Sequence, residues 1–143
     1  MSDQNNSFQD VTSDQEFVQK LQTAIDNLFW SSEAEYPWEI FYWQDVATFN
    51  ENILLQHSNS SSNSKIAIQQ FSDFFEPATK QQNWHNDTEK AEVRRYQTLV
   101  DLMATNLTDL EVYLLGKVEI NTYVLGTTKS NAIAGITTKI VRT

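Results

Sequence analysis

Cysteine is missing altogether from this 143-residue chain, which removes disulfides, thiolate metal ligands and thiol nucleophiles at once. Histidine is nearly as scarce. His57 and His85 are the only side chains that titrate near neutrality in the ordinary way, and both fall in polar stretches expected to be exposed loops. Neither stands at the His/Glu spacing that a metal site needs. Glycine occurs three times, at Gly116, Gly126 and Gly135, each placed for a turn or a strand, so no phosphate-cradling loop can be assembled. The longest apolar runs, such as Val112-Tyr113-Leu114-Leu115, are far too short to span a bilayer, and no membrane role is expected. The first ten residues carry neither a basic nor an apolar signal region, and a soluble cytoplasmic protein is expected.

These absences leave little for catalysis. Glu33 and Glu35 could in principle act as an acid–base pair, but a two-residue spacing in a turn arises readily by chance. The expectation is a protein that is not an enzyme and has no cofactor of its own.

Basic residues are also rare at the start of the chain. Residues 1–45 hold nine acids against one base, Lys20, which accounts for −8 of the net charge of −9. So acidic a surface repels phosphate backbones, and direct nucleic-acid binding is disfavoured. It is attracted to basic protein surfaces, including those built to hold nucleic acid. On composition alone, acidity that serves solubility is the simpler reading.

What is present reads as one domain with mixed structure. Residues 1–12 are polar and expected to form a disordered tail, leaving a single domain over 13–143. Ser13-x-x-Glu16 has the form of a capping box, and Phe17, Leu21, Ala24, Ile25 and Leu28 continue at helical spacing to about Trp30. Ser31 and Ser32 open a turn that reaches Pro37. The aromatic run Trp38-Glu39-Ile40-Phe41-Tyr42-Trp43 is expected to be a strand. Residues 50–56 read as a short extended piece and 57–64 as a solvated loop. Residues 66–75 combine a short strand and a short helix that Pro77 should end. A second long helix is expected from Asp87 or Thr88, either of which could cap it, to Leu107. The last third alternates as strands: a hairpin around Gly116-Lys117, then a polar turn and a strand running nearly to Thr143. Two long helices and a four- or five-stranded antiparallel sheet make an α+β sandwich.

Trp38, Tyr42 and Trp43 lie in the expected strand and are expected to be core or half-buried. Trp84 stands alone in the hydrophilic stretch 80–87. Composition favours its folding back onto the core over exposure as an interface anchor.

Three segments, taken in order, resemble the nuclease A inhibitor family. They are Ser32-Glu33-Ala34-Glu35-Tyr36-Pro37-Trp38-Glu39, then Leu114-Leu115-Gly116-Lys117-Val118-Glu119-Ile120, and last Ile133-Ala134-Gly135-Ile136-Thr137-Thr138-Lys139-Ile140-Val141-Arg142-Thr143. With the second long helix and the Trp84 loop, the similarity covers roughly residues 15–143. The resemblance implies a three-layer α-β-α sandwich with a mainly antiparallel sheet, similar to pathogenesis-related-protein-like folds. It also implies a function: one-to-one binding to a sugar-non-specific, Mg²⁺-dependent nuclease that cuts DNA and RNA, protecting the producing cell. The family's inhibitory contacts fall by motif on Glu33 and Thr143, and its Gln-x-Trp pattern falls on Gln82 and Trp84.

Those positions fit the chemistry. Mg²⁺ takes hard oxygen ligands and keeps exchangeable water positions. The Thr143 hydroxyl and a terminal carboxylate could replace water on or beside the nuclease's Mg²⁺, the metal contact expected of this chain. Glu33 would then face basic residues that normally hold nucleic acid. The polar tail and the 57–64 loop lie outside the family pattern. Arg142 stands where an acidic or neutral residue is expected and would oppose a basic cleft, although strand alternation should send its side chain the other way; these departures put partner choice in doubt. The alternative is a non-catalytic binding module on the same scaffold with another protein or a small molecule as target.

Overall fold

The structure, a computed structural model, describes the backbone of residues 2–44, 46, 48–58 and 65–143, with side chains from residue 13 onward. In chain order the elements are α1 (Ser2–Ile25), β1 (Phe29–Ser31), β2 (Glu35–Pro37), β3 (Glu39–Trp43), α2 (Glu51–His57), β4 (Ile66–Gln70), α3 (Phe71–Thr79), α4 (Asp87–Asn106), β5 (Thr108–Leu115), β6 (Glu119–Thr127) and β7 (Ile133–Val141).

Strands β3 to β7 form one antiparallel sheet in the order β3-β7-β6-β5-β4, and β1 and β2 form a separate two-stranded ribbon. The pleat sends alternate residues to opposite faces. Ile120, Val124, Ile136 and Ile140 join Val112 and Leu114 on one face, under Leu21 of α1, Phe75 of α3 and Leu99 and Met103 of α4. Tyr113, Leu115, Leu125 and Ile133 lie on the other, against Leu54 and Leu55 of α2. The result is a three-layer sandwich of α1, α3 and α4, then the sheet, then α2.

Several elements differ from the sequence expectations, each for a local reason. Helix α1 runs back to Ser2, so the backbone expected to be a tail is helical and Ser13 lies inside the helix. No Gly or Pro interrupts that stretch. The helix also stops before Trp30, because Asn27 takes a left-handed conformation (φ 56°) that ends it. Residues 51–57 are helical, not extended. The Asn50 side chain caps them by accepting from the Ile53 N–H at 3.0 Å, and Leu54 and Leu55 bury themselves on the sheet. Pro77 lies within α3 and does not end it. Buried Phe74 and Phe75 hold that helix down, and the Thr79 hydroxyl caps its last carbonyls at Phe75 and Glu76. Helix α4 is capped one residue earlier than expected, by a reciprocal box between Asn86 and Glu89. The loop expected over 57–64 falls mostly on residues outside the described ones.

Candidate functional site: a clamped carboxyl corner and an exposed tryptophan turn

Strand β7 is flanked by β3 only as far as Thr137, which pairs with Glu39. Beyond that point its backbone faces an open edge, and unpaired strand groups need partners. The loop joining β1 to β2 supplies them. The Glu33 N–H donates to the Val141 carbonyl at 3.3 Å, and the Ser32 hydroxyl accepts from the Val141 N–H at 3.0 Å. On the opposite side the Arg142 N–H donates to the Val118 carbonyl at 2.9 Å. Then the chain turns back: the Thr143 N–H and the Thr143 hydroxyl both donate to Glu33 Oε2, at 2.8 and 2.7 Å. Residues 141–143 are thus held alternately from two sides. Such bonds to a carboxylate are stronger than neutral ones, although this corner is exposed and water screens it.

The loop is itself fastened to the core. Trp30 of β1 stacks on Phe74 with centroids 4.6 Å apart and meets Trp38, Phe75 and Tyr96 edge-on. The Tyr96 hydroxyl donates to the Phe29 carbonyl at 2.7 Å while accepting from Trp38 Nε1–H at 2.9 Å. Burial pushes the Tyr96 hydroxyl well above its ordinary value, with the bond from Trp38 opposing the shift, so the phenol keeps the proton it donates. Thr138 adds a further tie, its hydroxyl donating to the Pro37 carbonyl at 2.9 Å.

Gln82 and Trp84 belong to a second feature. Residues 82–85 form a turn closed twice: the His85 N–H donates to the Gln82 carbonyl at 3.2 Å, and the Gln82 N–H donates to His85 Nδ1 at 2.9 Å. The imidazole must therefore carry its proton on the other nitrogen. Trp84 projects from the turn 73% exposed, its ring meeting His85 edge-on at 4.4 Å. Composition favours the folded-back placement, and the structure overturns it. His85, not Trp84, lines the cavity against Pro77, Ala78, Val93 and Tyr96.

The two features lie along one groove. A cavity of about 210 Å³ is lined by Phe29, Trp30 and Ser31 at one end and by Pro77, Ala78, Glu92 and Tyr96. The latter four also line a cavity of about 170 Å³ that reaches His85. Ser31 is two residues from Glu33, and His85 adjoins Trp84. So Glu33 and Thr143 are in direct contact, while Gln82 and Trp84 are reached along the groove and touch neither.

Other candidates fare differently. Glu35 accepts from the Ser31 hydroxyl at 2.9 Å, so the two carboxylates of the 33/35 pair have separate partners. Trp38 is 4% exposed and belongs to the core, whereas Trp43 is half-buried, packed against Phe41 and stacked on the exposed His57 at 4.2 Å. Among the described residues no group of three His, Cys, Asp or Glu is placed to hold a metal, and no helix is long and apolar enough to cross a membrane. Sequence reasoning missed Ser32, whose hydroxyl both accepts from Val141 and donates to the Ala34 carbonyl at 3.1 Å. Only its neighbour in the motif, Glu33, pointed there.

The geometry defines a sandwich domain that presents a rigid, oxygen-bearing corner beside an exposed aromatic. The chain belongs to the family of nuclease A inhibitor-like proteins, whose model matches residues 15–143. No curated protein matches the chain.

Proposed function

We propose that this protein inhibits a sugar-non-specific, Mg²⁺-dependent endonuclease by covering its active site one to one, without chemistry of its own. The observation that carries the reading is the double hydrogen bond from Thr143 to Glu33 Oε2, in a chain of this family. Donating its proton to Glu33 leaves the Thr143 oxygen with its lone pairs turned to solvent, as a ligand for a hard cation requires. That oxygen replaces a water on or beside the nuclease's Mg²⁺, where the scissile phosphate would place one. Glu33 positions Thr143 and adds negative charge towards residues that hold nucleic acid. Trp84, presented at the tip of a closed turn, supplies apolar contact area with little ordering left to do, and Gln82 flanks it. The acidic first third speeds association with a basic cleft, and the protein acts in the cytoplasm, sparing the cell that makes the nuclease.

Mixing the protein in equimolar amount with such a nuclease and Mg²⁺ should stop cleavage of both DNA and RNA. Undiminished cleavage by every nuclease of the class would refute the reading. Removing Thr143, or Glu33→Ala, should weaken binding by about 2 kcal/mol or more. Unchanged affinity in both would reject these residues while leaving inhibition standing.

A further inference from the structure

The acidic character of the molecule breaks near the end of β7. Lys65, just before β4, Lys117, in the β5–β6 turn, and Arg142, just after β7, line a single cavity of about 270 Å³ floored by Leu114 and Ile120. Three of the ten basic residues of a chain with a net charge of −9 thus meet around one opening, and no carboxylate lines it. All three side chains are exposed. Elsewhere Lys80 pairs with Glu76 at 3.0 Å, Lys139 with Glu119 at 3.9 Å, and Arg95 donates to the Ala24 and Asp26 carbonyls, while the remaining four bases converge on no shared cavity with Lys65, Lys117 and Arg142. Among the described residues these three form no ion pair. The backbone makes the convergence unavoidable, since the Gly116 N–H bonds the Lys65 carbonyl at 3.1 Å and the Arg142 N–H bonds the Val118 carbonyl.

We infer that Lys65, Lys117 and Arg142 form a second, cationic contact beside Thr143, which takes carboxylates on the rim of the target nuclease's metal site and so selects among nucleases. The inference rests on the inhibitor reading. A Mg²⁺ site draws on carboxylate oxygens, so an enzyme that holds the ion carries acids close to it. If Thr143 meets that ion, the Arg142 Cα stands about 4 Å further along the chain, and its long side chain, turned to the β6 side, reaches the rim of the site and not the ion itself. Its planar guanidinium suits a carboxylate in two-pronged fashion, and the two lysines broaden the field around it. The corner therefore offers both signs of charge, Glu33 to the basic cleft and the cationic trio to acids beside the metal. This arrangement penalises nucleases lacking the matching acid, because the trio would then face basic residues unpaired.

The test replaces all three residues (Lys65→Gln, Lys117→Gln, Arg142→Gln) and measures affinity for a Mg²⁺-dependent nuclease that the unaltered protein inhibits. A control variant, Lys20→Gln, Lys90→Gln, Lys129→Gln, removes the same charge elsewhere. Both variants are more acidic, so general attraction to a basic nuclease would tighten both. The expected result is at least a tenfold loss at 150 mM salt for the first variant alone, shrinking at 500 mM as the charges are screened. Affinity equal to or tighter than the control's would overturn the inference while leaving inhibition intact. A second arm needs no nuclease. Titration with a hexaglutamate peptide at low salt, followed by NMR, should shift the amides of residues 65, 116–118 and 142, and those shifts should vanish in the first variant. Shifts spread evenly over the surface, or absent at these positions, would likewise overturn it. Should the triple variant melt early, Arg142→Gln alone carries the same prediction at smaller size.

Discussion

The carboxyl corner and the tryptophan turn supply the two halves of the proposed contact, and they are built by opposite means. The corner is non-local: Glu33 and Thr143 are 110 residues apart, and their bonds exist only because β7, second in the sheet, runs on past the end of β3 and the β1–β2 loop lies against the edge left open. The turn is local, closed between residues 82 and 85 by bonds that span three positions. An oxygen that must replace water on a cation has to be placed to within a fraction of an ångström, whereas apolar contact area tolerates small shifts. The proposed contact thus asks most of the more heavily braced part of the molecule.

The strongest way to break this contrast is Gly135→Ala. A Cβ there would lie 1.8 Å from the Val124 carbonyl oxygen and 2.9 Å from the Leu125 Cα, both backbone atoms that cannot step aside. We expect a loss of about 3 kcal/mol or more in thermal or urea denaturation, with corner and turn failing together. Less than about 1 kcal/mol would show that β7 is not the brace assigned to it. Trp84→Ala comes next and should separate the halves. It should weaken nuclease binding by about 2 kcal/mol while leaving the melting temperature unchanged, since the ring is mostly exposed. A clear fall in melting temperature would mean that the indole supports the fold. The smallest effect is His85→Ala, which removes the acceptor for the Gln82 N–H and leaves the turn closed by one bond. Affinity should fall by about 1 kcal/mol, and this loss should simply add to that of Glu33→Ala, because the two sites share no contact. Departure from additivity would mean that the groove between them transmits strain.

How much of this could be read in the sequence follows the same division. The alternation of β7, the hairpin at Gly116 and the stripe of α4 are local patterns, and each appears in the structure at or near its expected place. Elements that depend on a single cap are not legible in the pattern. Asn50 turns residues 51–57 into a helix, and Asn86 rather than its neighbours starts α4. Of the β1–β2 ribbon, the pattern places Phe29 and Trp30 at the end of the first helix and Ser31 to Pro37 in a turn, because three-residue strands carry almost no periodicity. Resemblance to the family picked out Glu33 and Thr143, but nothing in the order of residues announces that one holds the other. That bond depends on where β3 stops. The exposure of Trp84 was likewise illegible, being decided by which of two adjacent rings, Trp84 or His85, turns inward.

Whether Glu33 works through Thr143 is asked directly by a double-mutant cycle on nuclease affinity. Glu33→Ala and Thr143→Ala should each weaken binding by about 2 kcal/mol, roughly thirtyfold. If the carboxylate acts by positioning the hydroxyl, the double variant should be scarcely weaker than either single one, a coupling of well over 1 kcal/mol. Losses that sum to the full 4 kcal/mol or so would mean two independent contacts, and the clamp would then have no part in inhibition.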